Sequence, residues 1–155
     1  MTYLVVKWLH ILSSTLLFGT GLGSAFYMYF VSRTRNPHAI AVVSRYVVIA
    51  DWVFTTPAVI LQPLTGWYLM HLAGFPFTTP WIAWSLALFA LAGAAWLPVL
   101  WMQVRMRDLA VAAAAANRPL PERFTRYLRL WTALGVAAFS ALIVVFYLMV
   151  AKPHI

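Results

Sequence analysis

Three features of this 155-residue chain predict an all-α membrane protein, an antiparallel four-helix transmembrane bundle with both termini outside. Hydrophobic residues make up 64% and charged residues 9%, where a soluble domain is about half apolar and a quarter charged. Four stretches, about residues 4–31, 46–73, 81–104 and 128–150, are long and apolar enough to span a bilayer, since a span needs about 20 such residues. The loops between them are short and carry very unequal charge. Mean hydropathy is +0.84. These values exclude a soluble globular enzyme, a disordered chain and a disulfide scaffold. There is no cysteine, so thiolate metal sites and cysteine nucleophiles are excluded as well.

The charge pattern gives an orientation. The net charge of +8 marks loops rather than a nucleic-acid surface, and the bilayer is the expected partner. The first loop carries Arg33, Arg35 and Arg45. The third carries Arg105, Arg107, Arg118, Arg123 and Arg126 against Asp108 and Glu122, and residues 73–80 carry no charge. Basic loops stay on the cytoplasmic side. This places the chain in a cytoplasmic membrane with loop two and both termini outward. The first apolar stretch lacks a basic leader and is followed by arginines, so it reads as a retained span rather than a signal peptide.

Local signals place the helix ends. Asn36-Pro37 reads as an N-cap followed by a first-turn proline. Thr79-Pro80 and Pro121-Glu122 open the third and fourth helices in the same manner. Alanines 112–116 have high helix propensity and carry helix three past the membrane to Asn117. Pro57, Pro63 and Pro98 fall inside spans and should bend them. The whole chain, residues 1–155, is one domain.

Polar residues inside a span are costly, so their faces are informative. On helix one, His10, Ser14, Leu17, Gly21, Ser24 and Met28 share a face, with Lys7 one turn outward of His10. Gly19 and Gly23 form a small-residue pair of the kind that packs helices. On helix two, Asp51, Thr55, Ala58, Gln62 and Thr65 lie within about 80° of one another on a straight helix. Asp51 is the one acid within a span, and Arg45, Arg105 and Arg129 are candidate partners near its level. It is read either as half of a structural ion pair or as a proton or ligand site. On helix three, Gln103 should face the bundle near Asp51, and Trp96 fills the core or packs on a cofactor. Helix four offers only Thr132, Gly135, Ser140 and Tyr147.

Of the four histidines, His38 and His154 read as solvated. His10 and His71 lie in the outer halves of their spans, where neutral imidazole is a good haem or metal ligand. On a straight helix His71 points away from the Asp51 face, so a bis-histidine pair would need the proline bends. Met28 lies about 27 Å along the axis from His10 and cannot share its haem. The methionines are scattered, which argues against copper.

Several segments resemble a family of small bacterial integral membrane proteins of unknown function. They are Lys7-Trp-Leu-His10-Ile, Leu17-Phe-Gly-Thr-Gly-Leu-Gly23, Ala50-Asp-Trp-Val-Phe-Thr-Thr-Pro57, Leu61-Gln-Pro-Leu-Thr-Gly66 and Trp96-Leu-Pro-Val-Leu-Trp-Met-Gln-Val-Arg-Met-Arg107. The opening segment is also similar to the first helix of HemJ-type protoporphyrinogen oxidases and of CopD-type membrane proteins. That likeness implies haem b with His10 as axial ligand. Ser85 stands where the HemJ type carries a functional lysine, so porphyrinogen oxidation is not carried over.

Two kinds of function follow. One is a haem b-binding membrane oxidoreductase. It would use His10, His71 as a possible second ligand, Lys7 near a propionate, and Ser14 and Gly21 on the approach face, with a redox partner. The other is a transport, proton-conducting or assembly subunit built on Asp51, Thr55, Gln62, Thr65, Gln103 and Arg105. Four spans are few for transport, so this reading expects a homo-oligomer. No nucleophile, base and acid come together for a hydrolase.

Overall fold

The computed structural model describes residues 1–153. Four long helices follow one another: α1 (Thr2–Arg33), α2 (Pro37–Leu72), α3 (Pro80–Ala115) and α4 (Glu122–Ala151). No strand occurs among the described residues. Each helix is long and apolar enough to cross a membrane. Trp52, Leu97 and Val150 are 63%, 64% and 85% exposed. A surface this apolar is a liability in water and is the expected surface in hydrocarbon.

The helix ends follow local chemistry. The Asn36 carboxamide oxygen accepts from the amides of His38 (3.0 Å) and Ala39 (3.3 Å), with Pro37 in the first turn. Thr79 precedes α3 but makes no side-chain cap; its hydroxyl donates to the Pro76 carbonyl at 2.8 Å. The α3 helix ends at Ala115, and Asn117 turns the chain with φ 48.

Two contacts establish the up-down order. His38 Nε2 lies 3.3 Å from Asn117 Oδ1, joining the two arginine-bearing loops at one end. At the other end Lys152 Nζ lies 5.6 Å from the Trp81 ring centre, joining the end of α4 to the start of α3.

Pro57 is accommodated rather than simply bent around. The chain from Asp51 to Thr55 forms a π-helical turn, and the Thr56 amide donates to the Asp51 carbonyl. Proline has no amide hydrogen for the preceding turn. Widening that turn by one residue relieves the clash and re-phases the helix on either side.

The buried apolar cluster gathers at the arginine-rich, basic end, around Met28, Ile40, Val47, Met102, Met106 and Phe124. There the first half of α2 packs on both α1 and α3. Beyond the π turn, Thr56–Leu72 packs on α1 and makes no comparable contact with α3. The α1–α2 and α3–α4 hairpins therefore separate towards the opposite end. Phe18 bridges them, with edge-on rings of Phe139 and Phe146 at 5.5 and 5.4 Å.

Candidate functional site

The π turn presents Asp51 and Thr55 to the interior, where they are 5% and 3% exposed. Thr55 Oγ1 donates to Asp51 Oδ1 at 2.9 Å. Gln103 Nε2, from α3, donates to Asp51 Oδ2. Trp131 Nε1, from α4, donates to Gln103 Oε1 at 3.1 Å. An indole nitrogen can only donate. Trp131 therefore fixes the amide orientation, with the Gln103 oxygen towards the indole and its NH₂ towards the carboxyl. Each oxygen of Asp51 receives one donor, from Thr55 of its own helix and from Gln103 of α3, and Trp131 of α4 anchors the second of these.

No cation among the described residues reaches this carboxyl. Arg45, Arg105 and Arg129, expected as partners, are all exposed, and the Arg105 guanidinium lies 5.6 Å from the Trp101 ring centre. The single salt bridge among the described residues joins Arg107 to its neighbour Asp108 at 2.8 Å. Long arginine side chains at a span end extend towards the polar boundary instead of turning inward. The structural ion pair is therefore replaced by a neutral hydrogen-bond cage.

Asp51, Thr55 and Gln103 lie on the wall of a cavity of about 90 Å³ between the two hairpins. Leu17, Gly21 and Ser24 line it from α1, Trp96 from α3, and Phe139 from α4. A water needs roughly 10–15 Å³ by this measure, so several fit. A Cβ at Gly21 would lie 3.1 Å from Phe139 Cζ, so glycine permits the close approach there.

The outer half of the same stripe serves a second network. Gln62 Nε2 donates to the His10 carbonyl (2.8 Å) and the Ser13 hydroxyl (2.6 Å). His10 Nδ1 lies 2.7 Å from Thr65 Oγ1, and that hydroxyl lies 2.6 Å from the Leu61 carbonyl. A hydroxyl has one proton. Given to Leu61, it leaves Nδ1–H as the donor and Nε2 as the acceptor nitrogen of His10. The imidazole rests on Gly66, where a Cβ would come within 3.3 Å of Cε1. Ser14 instead donates to the Ile11 carbonyl at 2.7 Å, on its own helix. Lys7 is exposed, 6.0 Å from the Tyr3 ring centre.

His71 stacks on Trp67, ring centres 6.0 Å apart, and is exposed. Six residues beyond Thr65, it is rotated about 240° from the side that meets His10. The two histidines do not form a pair. His10 does not line the cavity, and about 90 Å³ is small beside the ~300–1,000 Å³ of sites for drug-sized ligands. The His10 tautomer suits an axial ligand, but the surroundings do not fit a haem. No group of three or more histidine, cysteine or acidic residues placed to hold a metal ion occurs among the described residues. His38 is exposed as expected, and His154 lies outside the described residues.

Two members of these networks carry no signal in the single-helix reading, Trp131 and Ser13. A buried tryptophan needs an acceptor for its N–H, and Gln103 on the facing helix is the available one. Ser13 is displaced by one position from the face drawn through Ser14.

Residues 4–153 match the family described as "Predicted integral membrane protein (DUF2269)". The chain belongs to that family. The match spans all four helices and both networks of this DUF2269 protein. No curated protein and no solved structure matches the chain.

Proposed function

We propose that the chain is a proton-conducting membrane module in which Asp51 is the exchanging group. The observation that carries this reading is a buried carboxyl, with no cation partner among the described residues, on the wall of a cavity that holds water-sized volumes. A charge in a span is costly unless compensated. Thr55 and Gln103 offset it with donors when Asp51 is ionised, and a bound proton removes it. A group with a tolerable state on either side of proton exchange is what a relay requires. In this reading the basic end faces the cytoplasm of a bacterial inner membrane with both termini outside, an orientation that the loop arginines support. Assembly of several copies belongs to the same reading, because one four-helix chain encloses only a small cavity.

Proton uptake into liposomes with entrapped pH dye, driven by a potassium–valinomycin potential, tests the proposal. Wild type should exceed protein-free liposomes, and Asp51→Asn should fall to their level. The amide keeps the size of the carboxyl, so helical content and elution should be unchanged. Equal rates for wild type and Asp51→Asn would refute the role. A Soret band in the purified protein, lost in His10→Ala, would replace this reading with a redox one.

A further inference from the structure

A second recess lies away from Asp51. It is an open groove of about 700 Å³ at the basic end, between the α1–α2 turn and the first turns of α4. Its α4 wall is a single helical stripe, Glu122, Thr125, Arg126, Arg129 and Leu130. Arg35 and Leu120 complete it from the two loops. Arg35 holds a left-handed backbone, φ 55, at the turn after α1. Among the described residues none of the three arginines has a carboxylate within salt-bridge reach. With Glu122 the one acid in the lining, the groove carries a formal charge of +2.

The groove also has an apolar part. Leu130 is 52% exposed and lies about 7.5 Å along the helix from Thr125, on the side of the span. Cationic groups with an adjoining apolar wall at the end of a membrane-spanning helix match a lipid more closely than a free anion. Guanidinium groups offer planar paired donors to phosphate oxygens. We propose that this groove binds the phosphate of an anionic phospholipid headgroup in the leaflet that meets the basic end. Arg35, Arg126 and Arg129 hold the phosphate, the Thr125 hydroxyl donates to it, and Leu130 meets the start of the acyl chains. Glu122 opposes the anion.

Native mass spectrometry of the full chain in detergent tests this with phosphatidylglycerol, phosphatidylcholine and inorganic phosphate as probes. Phosphatidylglycerol should bind on the order of tenfold more tightly than phosphatidylcholine, each interfacial arginine contributing about 1 kcal/mol. The double variant R126Q/R129Q should weaken phosphatidylglycerol about thirty-fold by the same constant, phosphatidylcholine much less, and so abolish the preference between them. Glu122→Gln should strengthen phosphatidylglycerol about five-fold, a gain that a folding defect would not produce. Equal affinity for the two lipids, or no shift in either variant, would overturn the proposal. Full displacement of phosphatidylglycerol by millimolar inorganic phosphate would overturn the lipid assignment in favour of a soluble anion.

Discussion

The contact between Trp131 and Gln103 can be isolated with a double-mutant cycle, Trp131→Phe and Gln103→Leu, singly and together. Trp131→Phe keeps an aromatic ring and removes the N–H that lies 3.1 Å from Gln103 Oε1. Gln103→Leu keeps similar bulk and removes both that acceptor and the donor to Asp51. Each single change also alters packing, because the two side chains are 6% and 2% exposed. Those packing costs cancel in the cycle, and the hydrogen bond does not. Hydrogen bonds between membrane helices average about 0.6 kcal/mol and reach about 1.7. The Trp131–Gln103 bond should lie near the upper value, because the second end of Gln103 is tied to a carboxyl and networks of this kind strengthen their members. A coupling of about 1.5 kcal/mol is expected, with the double variant less destabilised than the two singles combined. Stability would be read from helical circular dichroism during denaturant titration in mixed micelles. A coupling within about 0.3–0.5 kcal/mol of zero, the usual additivity error for independent sites, would refute the claim that the indole positions Gln103.

Pro57→Ala restores an amide hydrogen and removes the reason for the π turn. Losing one residue from a turn re-phases the two halves of α2 by about 100°, so the Trp131 indole and His10 imidazole resonances should both move in NMR spectra. Unchanged resonances would mean that the tertiary contacts hold the π turn without the proline. Asn36→Ala removes the acceptor of two first-turn amides and should cost about 1 kcal/mol of stability in the same micelle titration. No loss would mean that water replaces the cap without penalty.

The helices were legible because their signals are local. Length and hydropathy give four spans, and Asn36-Pro37 marks an entry whose cap forms as expected. The polar stripe was legible as an interior face: Asp51, Thr55, Ala58 and Gln62 are all buried. Its division into two networks was not. A wheel of constant pitch has no place for the extra residue of the π turn, and it does not say which neighbour each half will meet. The expected arginine partners for Asp51 failed because proximity along the axis does not specify the direction in which a long side chain runs. Trp131 was hidden because its role exists only across two helices, with nothing in its own helix to mark it. His10 lies on the seam between α1 and α2, and the seam closes over it through Thr65 and Gly66. Close approach of two backbones is a property of the pair and not of either sequence segment.

The uneven distribution of the apolar core also bears on motion. Met28, Ile40, Met106 and Phe124 are clamped together at the basic end, while the second half of α2 leans on α1 alone. The bundle is thus a pair of tweezers with its rivet at one end and its tips at the other. Few contacts need to break for the tips to part, so opening there costs less than global unfolding. Asp51 sits between rivet and tips, where a small change in hairpin angle becomes a change in the width of the cavity beside it.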